Sequence, residues 1–124
     1  MPVVRTTEAR RSSTPNATTT TFASPTLGGA GVALWRVEMA PGAAGPLHWF
    51  DVEQVWTVLT GSARIDLDGE PVVVGPGDTV VMPAQLPRQV HADPEAGFTA
   101  MVTAPGGALA STASTEPVLP PWIA

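Results

Sequence analysis

Glycine and proline interrupt this chain so often that a long helix has nowhere to form. Twelve glycines and fourteen prolines fall among 124 residues. Proline fixes φ and removes a backbone donor, and glycine releases the chain into turns. The runs left between them are short and rich in β-branched and aromatic residues. Val32–Met39 reads as a strand stopped by Ala40-Pro41-Gly42. Residues 63–68 alternate strictly between apolar and polar and end at Asp68-Gly69, a pair suited to the positive φ of a type I′ hairpin turn. Thr79–Met82 is a strand stopped by Pro83, 88–91 is a short extended piece, and 98–103 is the last clear strand. Such a succession, with no helical period, predicts an all-β barrel or sandwich.

The ends differ in composition from the body. Residues 1–30 are rich in Thr, Ser, Pro and Gly and read as an N-terminal arm. The strand Thr18–Ala23 within it is a candidate for pairing with a partner subunit's sheet. Residues 31–104 form the body. Residues 105–124 form a tail whose Trp122-Ile123 is expected to dock on it.

Composition removes whole classes of chemistry. There is no cysteine, and all six basic residues are arginines, so thiolate and lysine-nucleophile mechanisms are impossible. With no tyrosine either, acid–base work falls to two histidines and eleven carboxylates. A net charge of −5 argues against nucleic acid as a partner. No apolar run reaches membrane-spanning length. Arg10-Arg11 is followed by a polar stretch rather than the apolar core of an export signal, so a cytoplasmic location is expected. The lysine-free, Ala/Pro/Val/Thr-rich composition suggests a GC-rich bacterial genome and, by association, secondary metabolism.

One stretch, 46–61, gathers a histidine, two tryptophans, a phenylalanine and the pair Glu53-Gln54 before Gly61. Preceded by Gly42, it resembles the first motif of the cupin superfamily. Gly77-Asp78-Thr79-Val80-Val81-Met82-Pro83, running on to Arg88, resembles the second, and the likeness spans roughly residues 30–104. The resemblance implies a cupin-like double-stranded β-helix, or jelly-roll barrel, with a site in one barrel mouth and a homodimeric assembly. Cupins commonly hold a divalent metal with two histidines two residues apart, a carboxylate or amide further on, and a histidine from the second motif. On this chain those positions are His48, Phe50, Gln54 and Arg88. A phenyl ring donates nothing, and a guanidinium has no free lone pair.

No cofactor is therefore expected. The alternative is one weakly held divalent metal on His48, Gln54 and, less readily, His91. Strand parity turns His91 away from Arg88 and Glu53 away from Gln54. Asp51 is expected to be solvated in its turn.

His48, Gln54 and Arg88 are the candidate catalytic residues. His48 would move a proton, Gln54 would orient substrate, and Arg88 would stabilise an oxyanion. A buried Arg88 needs a partner, which is either Glu38 or an anionic ligand. Arg36 and Glu38 either line the pocket or lie on the sheet's outer face. Phe50, Trp56, Val58, Met82 and Met101 either line an apolar cavity or form core. The expected function is an acid–base enzyme (isomerase, cyclase or lyase) acting on a small, partly apolar, anionic or enolisable molecule. The alternatives are a non-enzymatic small-molecule-binding cupin and a metal-dependent one.

Overall fold

The computed structural model describes residues 3–124. After a 3-10 turn at Thr6–Glu8 come twelve strands: β1 Arg10–Ser13, β2 Thr18–Ala23, β3 Val32–Met39, β4 Trp49–Phe50, β5 Gln54–Gly61, β6 Ala63–Leu67, β7 Glu70–Val74, β8 Thr79–Met82, β9 Arg88–Ala92, β10 Phe98–Pro105, β11 Ala110–Thr112 and β12 Thr115–Val118. They form a six-stranded sheet in the order β1-β2-β3-β10-β5-β8, and two three-stranded sheets, β12-β11-β4 and β7-β6-β9. Every pairing between strands is antiparallel. This is the jelly-roll barrel expected from the sequence. Among the described residues no helix is long and apolar enough to cross a membrane.

Local chemistry explains the corners. Asp68 at φ 50° and Gly69 at φ 85° make the two-residue hairpin between β6 and β7. Gly61, at φ 71°, ends β5 where an added Cβ would collide with the Gly97 carbonyl. Alternation fixes the interior. Trp35, Val37 and Met39 of β3, Trp56 and Val58 of β5, and Phe98, Ala100 and Val102 of β10 all point inward and are buried. Trp56 stacks on Phe98 with ring centroids 6.2 Å apart.

The ends belong to the barrel rather than standing apart from it. β2 pairs with β3 of its own chain, and β1 extends the same sheet as its edge. The run of threonines in β2 finds its place in packing, since Thr19, Thr20 and Thr21 are all buried. The tail folds into the β11–β12 hairpin, and β11 pairs with β4 beside the site. Asp51 helps to hold it there. Its Oδ1 accepts a 2.8 Å hydrogen bond from the Leu109 amide, and its own amide donates to the Leu109 carbonyl at 3.1 Å. Ile123 is fully buried, and the Trp122 carbonyl accepts from Thr21 Oγ1 at 2.7 Å.

Candidate functional site

The site begins with a backbone pairing. His48 lies just before β4 and Arg88 opens β9. The two exchange both backbone hydrogen bonds, His48 N–H to Arg88 O at 3.0 Å and Arg88 N–H to His48 O at 2.8 Å. Residues paired in this way present their side chains on the same face. Two positions on, Phe50 shares that face. Its ring meets the His48 imidazole edge-on at 5.5 Å and lies 5.7 Å from the Arg88 guanidinium carbon. Gln54, the first residue of β5, is fully buried, as is Arg88.

Arg88 is held without a carboxylate. Its Nε donates to the Leu86 carbonyl at 3.0 Å, one terminal nitrogen to the Pro83 carbonyl at 3.0 Å, and the other to Gln54 Oε1 at 3.3 Å. Burial pushes its pKa down to about 10. The indole N–H of Trp56 also donates to Gln54 Oε1, at 3.0 Å. Guanidinium and indole are donors only, so the atom they share must be the amide oxygen. The orientation of Gln54 is thereby fixed, and its Nε2 remains a buried donor with no partner.

His48 is oriented just as definitely. Its Nδ1 lies 2.8 Å from the Pro46 carbonyl oxygen, which can only accept, so Nδ1 carries the proton. In the neutral ring Nε2 then keeps its lone pair. Burial lowers the imidazole pKa below 6.5; the Pro46 hydrogen bond opposes this, and the Arg88 charge adds to it.

These groups meet at a cavity of about 450 Å³. His48, Phe50, Gln54 and Trp56 contribute to its wall, as do Trp35, Val37 and Met39. The β1–β2 turn supplies Thr14, Asn16 and Ala17, and the tail supplies Leu119, Pro120 and Trp122. Among the described residues no Asp, Glu or Arg side chain is part of the wall.

Several expected roles are corrected by this geometry. Arg36 and Glu38 lie on the outer face of β3, because bulky Trp35, Val37 and Met39 take the inner one. They pair with each other at 3.2 Å, so Glu38 is not the partner of Arg88, and Arg36 also covers Phe22. Met101, opposite Arg36 and Thr57, is on that outer face too, since Ala100 and Val102 occupy the interior. Val58 and Met82 point inward but are core, outside the cavity wall. Arg88 sits beside Gln54 and Phe50 and is not itself part of the cavity wall. His91 faces outward, where its Nε2 meets Asp66 Oδ2 at 3.1 Å. Glu53 and Asp51 are exposed.

The sequence reading missed the contributions of the arm and tail. Trp122, already expected to dock on the body, was the available signal.

The four positions that hold metal in many cupins do not form a donor set here. Phe50 offers no donor, Arg88 is a cation, and the Gln54 oxygen is already taken by two donors. His91 is on the wrong face of β9. Among the described residues no three His, Asp or Glu side chains cluster closely enough to hold a metal ion.

The architecture is shared with solved structures. The polyketide cyclase RemF from Streptomyces resistomycificus superposes with a TM-score of 0.71 at 26% identity, over 85% of this chain and 79% of that one. KdgF from Halomonas sp. gives 0.68 at 20%, over 83% and 92%. The DMSP lyase DddQ from Ruegeria pomeroyi gives 0.69 at 24%, over 90% and 60%. At these last two identities the likeness speaks for the fold alone. None of the curated proteins matches the chain in sequence. The family model described as "Cupin domain" matches residues 35–103, more than half the chain and the whole span between the strand before the first motif and the strand after the second. With barrel, motif order and family model in agreement, the chain belongs to the cupin family.

Proposed function

We propose that this cupin is a metal-independent acid–base enzyme that moves a proton next to a carbonyl group of a small, largely apolar molecule. The observation that carries the reading is that one cavity wall contains both His48, whose Nδ1 is committed to Pro46 so that Nε2 keeps its lone pair, and Gln54, whose buried Nε2 donor has no partner among the described residues. Removing a proton α to a carbonyl needs a base at carbon and a hydrogen-bond donor where negative charge develops on oxygen. His48 takes the first role and Gln54 the second. Arg88 is a positioning residue: it holds the Gln54 oxygen and, as a cation behind the amide, polarises its N–H groups toward the ligand. Isomerisation, aldol-type cyclisation and β-elimination of water all pass through such an enolate. The 26% identity to a polyketide cyclase supports the cyclase member of that set.

The test is solvent deuterium exchange at the α-carbon of a panel of cyclic ketones, followed by NMR with metal-depleted protein. Exchange by the wild type, lost in His48→Ala and in Gln54→Leu, is the expected result. Activity that requires an added divalent metal overturns the metal-independent reading.

A second reading, a non-catalytic binding module, is favoured by one observation: among the described residues His48 is the only titratable side chain in the wall. Tight ligand binding that survives His48→Ala, with no exchange in the wild type, decides for it.

A further inference from the structure

We infer that the cavity selects an uncharged ring compound bearing one carbonyl oxygen, and that it rejects carboxylates and phosphates in spite of the buried arginine beside it. The inference rests on the placement of Gln54 in the proposed site and adds the charge state and shape of the ligand. Among the described residues no arginine is part of the wall, and Arg88, which lies beside it, already donates in three directions, to Leu86 O, Pro83 O and Gln54 Oε1. It is fully buried behind the wall. An anion entering the cavity would leave water without gaining a counter-ion, a transfer that proteins avoid.

What the wall does offer matches a flat apolar body. Trp35, Trp56, Trp122 and Phe50 surround the space, with Met39 between β3 and the site. Aromatic walls favour ring systems by stacked or edge-on contact. The volume, about 450 Å³, suits a drug-sized ligand. Gln54 is the directional feature: a fully buried amide that is part of the wall and whose Nε2 lacks an acceptor among the described residues. A buried donor left unmade is costly, so a ligand supplying a carbonyl oxygen there gains over one that does not.

Three probes on one ring system separate the possibilities: 2-acetylnaphthalene, 2-naphthoate and 2-ethylnaphthalene. Their affinities are measured by isothermal titration calorimetry at neutral pH on the full chain. The ketone is expected to bind at least about tenfold tighter than either of the others, a difference of about 1.4 kcal/mol. Gln54→Leu should abolish the preference of ketone over hydrocarbon, read as the ratio of the two affinities on the same folded sample. Equal or tighter binding of the carboxylate, or binding of none of the three, overturns the inference.

Deuterium exchange at the acetyl methyl group is recorded on the same samples. A ketone that binds selectively without exchanging upholds the ligand class and defeats the proton-transfer reading. Exchange accompanied by tighter carboxylate binding does the reverse.

Discussion

Replacing Gln54 by glutamate separates stability from activity, and the two should not fall together. The amide oxygen accepts from Arg88 at 3.3 Å and from Trp56 at 3.0 Å, and a carboxylate oxygen at the same place keeps both bonds. Arg88 already bears the cost of burial. Desolvation pushes its pKa down to about 10, a penalty on the charged form. A carboxylate beside it contributes about 4 kcal/mol of attraction at an effective dielectric of 20. Taking that carboxylate out of water costs several kcal/mol and consumes most of the gain. The second oxygen replaces an unpartnered donor with an unpartnered acceptor. The expected net is therefore small, from no change to about 1 kcal/mol of added stability, or up to roughly 5 °C in Tm.

Gln54→Leu is the contrast. It leaves the Trp56 N–H and one Arg88 N–H buried without acceptors, at about 1–3 kcal/mol each. Both variants lose the donor that faces the ligand, and α-proton exchange should drop by about a hundredfold or more. Urea melts and the exchange assay measure the two quantities. Glutamate as destabilising as leucine would mean that the Gln54 oxygen does not serve Arg88 and Trp56. A glutamate variant with wild-type exchange would remove Gln54 from the chemistry.

Other perturbations test the rest of the site. Because the folded His48 pKa lies below 6.5, the folded chain takes up this proton later than the unfolded one. Its contribution to stability is complete above pH 6.5 and is lost as pH falls through the folded value. Exchange should fall in the same window, and His48→Asn should remove both slopes; a profile still rising above pH 7 would point to another base. Arg36→Ala should leave exchange unchanged and cost less than about 1 kcal/mol, since it breaks only a part-exposed pair; a large loss of activity would put Arg36 back in the site. Trp122→Ala should weaken 2-acetylnaphthalene binding several-fold in calorimetry while retaining exchange at saturation, because Trp122 walls the cavity without touching the proton-transfer pair.

Most of the fold could be read from punctuation. Asp68-Gly69 announced its hairpin because only a positive-φ pair closes a two-residue turn between twisted strands, and both residues have positive φ. The parity of β9 was equally legible, because a single outward residue, His91, sets the rest. The parity of β3 was not. Arg36 and Glu38 could have faced inward around a ligand, and only packing of Trp35, Val37 and Met39 against β10 and β5 decides otherwise. Met101 misled for the opposite reason: an apolar side chain carries no sign of its face until Ala100 and Val102 are seen to be buried. The arm and tail were illegible as walls because their partners lie far off in sequence, Thr21 with Trp122 and Asp51 with Leu109.

The direction in which the Gln54 amide points follows from where the positive charge sits. In a metal-holding cupin the cation occupies the cavity, and a glutamine at this position would turn its oxygen toward it. Here the cation is the Arg88 guanidinium, outside the cavity wall, held by the Leu86 and Pro83 carbonyls and the face of Phe50. The oxygen turns toward that charge, and the Trp56 N–H joins it there. An amide has two ends, so fixing its oxygen on Arg88 and Trp56 leaves its buried N–H donors without a partner among the described residues, and the proposed function assigns them to the ligand. Moving one charge by one layer thus changes the wall from a lone-pair donor for metal to a proton donor for a carbonyl oxygen. Arginine at 88 and glutamine at 54 are therefore a coupled choice. Arg88→Met would release the amide to rotate, and the selectivity for a ketone over a hydrocarbon should weaken even though residue 88 never touches the ligand.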